Sequence, residues 1–261
     1  MRDLTLTLLQ TDIHWLDPVA NRAMFAEQIA VHAAQSDLIM LPEMFATGFT
    51  MDAASNSEAD DGDSARWLQA MATEHQTCLC GSLVIRDNDH YYNRLLWVTA
   101  SGEVQHYDKR HLFRMAGEDK KYSAGEQRLI VQLGEWRICP LICYDLRFPV
   151  WSRNINDYDL LLYVANWPAP RRSAWRTLLP ARAVENLCYV AGINRIGVDG
   201  NDIAYAGDSL VADHLGNLLG DAGDKQAALR VSLSLDQLER YREKFPAWKD
   251  ADQFHITDQH N

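Results

Sequence analysis

The apolar run "RICPLICYDLRFP" (137–149) reaches Cys143 and then turns polar at Tyr144, Asp145 and Arg147. Other runs finish comparably: "DLIMLPE" on Glu43, "EVQHYDK" on Lys109, and two more on Asn166 and Asn194. Ligands in open α/β architectures sit at the carboxyl ends of strands, so residues far apart in sequence are expected to converge there. A thiolate attacks an acyl carbon once a base has taken its proton, and a nearby carboxylate can be that base. The attack puts negative charge on the carbonyl oxygen, which an ammonium and a backbone N–H can stabilise. The expected roles are therefore Glu43 as base, Cys143 as nucleophile, and Lys109 with the Tyr144 N–H as oxyanion partners.

Each residue has a plainer reading when taken singly. Cys143 could be a small core hydrophobe, Lys109 part of the solvated run "DKRH", and Glu43 a loop acid. Their shared place at strand ends favours chemistry over all three. His106 and His111 flank Lys109 and invite a Cys–His pair, but neither stands in a context typical of such enzymes. Cys78, Cys80 and Cys139 lack zinc-motif spacing and read as structural. No glycine-rich phosphate cradle follows any strand.

The elements that must position these residues alternate along the chain. "LTLTLLQ", "CLCGSLVI", "DLLLYVANW" and "CYVAGINR" are short apolar runs expected of interior strands, and the segments around Ser101 and Gly102 predict a hairpin. Asp17 and Pro18 form an N-cap and first-turn pair ahead of Phe25, Ile29 and Ala33 at helical spacing. Residues 64–75 repeat that pattern, and 175–187 predict a third helix in which Pro180 implies a kink or a late start. Ser234 and Gln237 carry a capping-box signature before a last helix. This order implies an α/β protein, a mixed sheet with helices outside it. The acidic stretch 52–65 reads as a solvated loop. The tail from Pro246 carries Trp248 and Phe254 without periodicity, and is expected to pack on the body or on a partner subunit.

Bulk properties remove several function classes. The net charge of −11 argues against non-specific binding to nucleic acid or anionic membrane, since a phosphate footprint needs clustered Lys and Arg. No segment approaches the ~20 apolar residues that span a bilayer, and the N-terminal sequence lacks a signal-peptide pattern. Five cysteines, an odd number without a repeating framework, suggest a reducing cytoplasm.

"LPEMFATGF", "YDKRHLF" and "LICYDLRFP" resemble the three signature segments of the nitrilase superfamily of carbon–nitrogen hydrolases, which use a Glu–Lys–Cys triad. The similarity extends through "GSLVI", "YYNRLLWVTASGEV", "KYSAGE", "YVANWP" and "ARAVENLCYVAGINR". It implies a four-layer α-β-β-α sandwich over residues 1–261 as a single domain, with 246–261 as a tail, paired as a homodimer or larger assembly through the Cys143 side. It also implies a thioester intermediate, no metal or organic cofactor, and a second glutamate that Glu118 matches. Within the superfamily, "CYDLRFP" and "VANWPAPR" are most similar to the ω-amidases, which hydrolyse the terminal amide of 2-oxo dicarboxylic acid monoamides. A small anionic substrate calls for a carboxylate clamp, for which Arg147, Arg171 and Arg172 are the candidates. Asn166 and Trp167 are expected beside them. Two rivals remain: the same triad acting on a deaminated peptide amide or an N-carbamoyl compound, and a catalytically idle sandwich that binds a partner.

Overall fold

The structure, a computed structural model, describes residues 3–256. The first part of the chain forms β1 (Asp3–Gln10), α1 (Pro18–His32), β2 (Leu38–Met40), the short α2 (Ala53–Asn56), α3 (Asp63–His75), β3 (Cys78–Asp87), β4 (His90–Val98) and β5 (Val104–Asp108). The remainder forms β6 (Val131–Leu133), β7 (Trp136–Ile142), β8 (Leu160–Val164), α4 (Arg172–Asn186) and β9 (Tyr189–Ile193). A small hairpin, β10 (Ile196–Val198) and β11 (Ala204–Ala206), then leads to β12 (Leu210–Ala212), β13 (Leu218–Asp221), β14 (Ala227–Ser234) and α5 (Leu235–Lys244).

The strand order alone predicts one mixed sheet; the described residues build two large ones. The first runs β14-β1-β2-β3-β4-β5 and the second β13-β12-β9-β8-β7-β6. In each, three parallel strands (β1, β2, β3 and β7, β8, β9) are flanked by antiparallel neighbours. Alternation along the strands explains the stacking. Leu4, Leu6, Leu8, Leu38, Met40, Cys78 and Cys80 join one buried cluster with Ile138, Leu141 and the rest of the second sheet. The intervening Leu9, Ile39 and Leu79 join Phe25 and Ile29 of α1 and Leu68 of α3 in a separate cluster. Trp175 and Leu179 of α4 close the opposite side. The result is the four-layer α-β-β-α sandwich that the resemblance implies.

Local expectations fare unevenly. The Asp17 carboxylate caps α1, accepting from the Ala20 N–H at 3.0 Å. Pro180 neither delays nor ends its helix, which starts at Arg172. The capping box at Ser234 does not form: that residue ends β14, its side chain makes no cap bond, and its carbonyl accepts from the Tyr189 hydroxyl. β14 itself pairs with β1 over eight residues, yet polar Arg230 and Ser232 hide it from a search for apolar runs. The acidic stretch is not all loop, since it holds α2 and the first turn of α3. In the tail, half-buried Trp248 and exposed Phe254 line a groove with Val150 and Trp151; residues 257–261 of the expected tail lie outside the described residues.

Candidate active site

Glu43 follows β2 by three residues, on a loop anchored to the neighbouring strand. The Leu41 N–H donates to the Cys80 carbonyl at 2.7 Å, and the Met44 N–H to Ser82 Oγ at 2.8 Å. Lys109 follows β5 directly; its N–H donates to the Asn93 carbonyl and its own carbonyl accepts from the Gly125 N–H. Gly125 is needed there because a β-carbon would lie 2.1 Å from the Asp108 carbonyl oxygen. Cys143 follows β7 and opens the 3-10 turn Cys143–Arg147.

These three strand ends meet. Lys109 Nζ lies 2.8 Å from Glu43 Oε1 and 3.0 Å from both oxygens of Glu118. All three side chains are sealed from solvent. Glu43 also accepts from Asn93 Nδ2 at 2.7 Å and from the Asn166 N–H at 2.8 Å, while Asn166 Nδ2 donates to the Glu43 carbonyl at 2.6 Å. Glu118 accepts from the Phe113 N–H as well. Cys143 shares a cavity wall with Lys109, and the Glu43 and Lys109 charges both act on its thiol.

The electrostatics assign protons. Burial first, then the Glu43 charge, pushes the Cys143 thiol well above its ordinary value, only partly opposed by Lys109. The resting sulfur is therefore protonated and needs a base in contact with it. Burial works against the Lys109 ammonium, but the Glu118 and Glu43 carboxylates outweigh it and hold its pKa above the usual lysine range. Burial raises Glu118, with Glu43 adding to the rise and Lys109 opposing it. The remaining thiols differ in kind. Burial pushes Cys78 up to about 11 and Cys139 up to about 12, and neither has a carboxylate bonded to it.

Cys143 also carries the wrong backbone for an ordinary residue. Its φ of +43° is left-handed, which costs an L side chain roughly 1–2 kcal/mol and persists only where the surroundings impose it. The conformation turns the thiol out of the strand direction into a small cavity of about 50 Å³. That cavity is lined by Lys109, Tyr144 and Asn166 at its inner end, with apolar Phe49, Phe113, Trp167 and Ile203 around it.

Of the expected arginines, Arg147 and Arg171 line the cavity. Arg147 lies 5.0 Å over the Trp167 ring and Arg171 4.9 Å over Phe113. Among the described residues neither guanidinium has a carboxylate partner. Arg172 corrects the expectation. Its guanidinium is bound to Asp208, with Nε 2.5 Å from Oδ2 and Nη2 2.8 Å from Oδ1, and it does not line the cavity. The reason lies in the helix start: Arg171 is the N-cap of α4 and its guanidinium lies over Phe113, whereas Arg172 opens the helix and reaches Asp208. His111, weighed as a partner for the thiol, instead bonds Asp145 at 2.7 Å. Among the described residues no cluster of His, Cys, Asp and Glu is placed to hold a metal, and no helix is long and apolar enough to cross a membrane.

Sequence reasoning missed Asn93, which bridges toward both glutamates, and the lining residues Phe49, Phe113 and Ile203. Asn93 lies mid-strand in "YYNRLLW", where a polar residue on an otherwise buried run is the one available signal.

Residues 5–243 match the family model described as carbon-nitrogen hydrolase. The chain belongs to the carbon–nitrogen hydrolase family. It is 51% identical to the ω-amidase YafV of Escherichia coli (strain K12), over 98% of this chain and all of that one. It is 34% identical to the 2-oxoglutaramate amidase of Bacillus subtilis (strain 168), covering 94% and 96% of the two. Among solved structures, XC1258 of Xanthomonas campestris superposes with a TM-score of 0.96 at 44% identity, over 98% of this chain and all of that one. That structure is of a CN-hydrolase superfamily protein with an arsenic adduct in its active site. In this carbon–nitrogen hydrolase the buried Glu43–Lys109 pair and the neighbouring Cys143 are observations independent of those matches.

Proposed function

We propose that the protein hydrolyses the terminal amide of small 2-oxo dicarboxylic acid monoamides, of the 2-oxoglutaramate type, to the acid and ammonia. The observation that carries this reading is one cavity lined by the Cys143 thiol, by the Lys109 ammonium paired with Glu43, and by two guanidinia without carboxylate partners among the described residues. The curated relatives named above act, by their names, as ω-amidases and a 2-oxoglutaramate amidase.

The chemistry follows from the contacts. The substrate carbonyl carbon sits against Cys143 Sγ, with its oxygen toward Lys109 Nζ and the Tyr144 N–H. Glu43 takes the thiol proton as the S–C bond forms. Negative charge growing on the oxygen is met by the buried ammonium, where little water screens it. Glu43 then passes its proton to the amide nitrogen, the C–N bond breaks, and ammonia leaves a thioester on Cys143. Water, deprotonated by Glu43, attacks that thioester; the acid departs and the proton returns to sulfur. Asn93, Asn166 and Lys109 hold Glu43 in one orientation through both steps, and Glu118 offsets the Lys109 charge so that the ammonium can stay buried.

Substrate choice falls to the cavity mouth. A planar guanidinium grips a carboxylate bidentately, and Arg147 and Arg171 are held by ring stacking, with one long contact from Arg171 Nη1 to Met115 Sδ at 3.9 Å, which leaves most of their donors available. The cavity wall includes no acidic side chain that would favour an ammonium group, so a 2-oxo acid amide suits it better than an amino acid amide. The five free cysteines, one of them the nucleophile, support a reducing compartment such as the cytoplasm. Ammonia release from 2-oxoglutaramate, glutamine and an N-carbamoyl amino acid tests this choice. The highest kcat/KM is expected for 2-oxoglutaramate; preference for either of the others would overturn it.

A further inference from the structure

The left-handed Cys143 must be held in place, and the holder is its near neighbour. Asp145 is completely buried, yet among the described residues no arginine or lysine is bonded to it. Four donors surround its carboxylate instead. Oδ2 accepts from the Ile142 N–H at 3.1 Å and the Tyr107 hydroxyl at 2.7 Å. Oδ1 accepts from the His111 N–H at 3.0 Å and contacts His111 Nδ1 at 2.7 Å. Ile142 immediately precedes Cys143, and His111 lies two residues beyond Lys109. Tyr107 in turn accepts from Trp151 Nε1 and the Arg110 N–H. Burial, then the Asp145 charge, holds the Tyr107 phenol well above its ordinary value, so it stays a donor.

We propose that Asp145 is the positioning residue of this site: its carboxylate ties the backbone before Cys143 to the backbone after Lys109 and so sets sulfur against ammonium. The proposal rests on Cys143 being the nucleophile. Only a carboxylate suits the task, because each oxygen faces a backbone N–H. In an asparagine of the same shape, the NH2 group must oppose either Ile142 or His111, whichever way the amide turns. The histidine ring and the tyrosine hydroxyl can reorient to suit an amide; the two backbone donors cannot. His111 is thereby a structural partner, with its ring stacked 3.8 Å from Phe148 and turned away from catalysis.

Asp145→Asn and Tyr107→Phe separate this role from simple core stability. Asp145→Asn is expected to lower kcat ~30-fold or more, with KM within about threefold, because misplaced reacting groups cost rate rather than affinity. Alkylation of Cys143 by iodoacetamide should slow in parallel, at temperatures where circular dichroism shows the variant folded. Tyr107→Phe keeps both backbone links and should stay within about threefold of the parent. Parent-like kcat in folded Asp145→Asn, or an equal loss in Tyr107→Phe, overturns the proposal. Should Asp145→Asn fail to fold, amide exchange in the unaltered protein decides. The His111 amide, in no strand or helix, is expected to exchange as slowly as those of β7; exchange at open-loop rates refutes the tie. If Cys143→Ala abolishes turnover while folded Asp145→Asn remains fully active, this inference alone fails and the nucleophile assignment stands.

Discussion

The two large sheets have the same plan and different cargo. Read from β14 or from β6, each pairs antiparallel, parallel, parallel, antiparallel, antiparallel. β1 thus corresponds to β7, β2 to β8, and β5 to β13. Glu43 and Asn166, which follow β2 and β8, occupy equivalent places and bond each other through side chain and backbone. The departure comes one strand earlier. β1 continues into the capped fifteen-residue helix α1, whereas β7 breaks at once into a left-handed cysteine and a 3-10 turn. The first sheet supplies acid and ammonium from loops tied to neighbouring strands; the second supplies sulfur from a strained turn. Charge is thus stabilised by ion pairing on one side, and direction by backbone constraint on the other.

Variants on either side can sharpen that contrast. Removing charge from the first sheet should have the largest effect: Lys109→Ala is expected to lose kcat ~100-fold or more, as with loss of an oxyanion partner. Its melting temperature should fall too, because two buried carboxylates lose their cation, and breaking such a pair costs about 3–5 kcal/mol. A change confined to KM would contradict the oxyanion role. Smaller effects are expected at the cavity mouth. Arg171→Gln should raise KM for 2-oxoglutaramate about tenfold, in line with one charged hydrogen bond, while its neighbour Arg172→Gln should leave KM within about twofold. Equal effects of the two would mean that Asp208 does not sequester Arg172.

The triad was readable because its members end apolar runs, and a strand end is a place the sequence marks by a change of polarity. Fold class followed from the same alternation. The split into two sheets did not, because strand order says nothing about which runs pair; only the resemblance supplied it. Arg171 and Arg172 are adjacent and identical in type, so nothing before the structure distinguished them. Asp145 looked like one more polar residue after the cysteine, since three of the four donors around it come from a segment more than thirty residues away. Contacts built across chain distance leave no local pattern to read.

The central claim is that Cys143 carries the acyl group. Rapid acid quenching of the enzyme during turnover of 2-oxoglutaramate, followed by intact-mass and peptide analysis, tests it directly. The expected result is a mass increase equal to the substrate less one ammonia, confined to the Cys143 peptide and absent from inactive Cys143→Ala. Steady ammonia release by Cys143→Ala, or an adduct on another residue, would contradict the account.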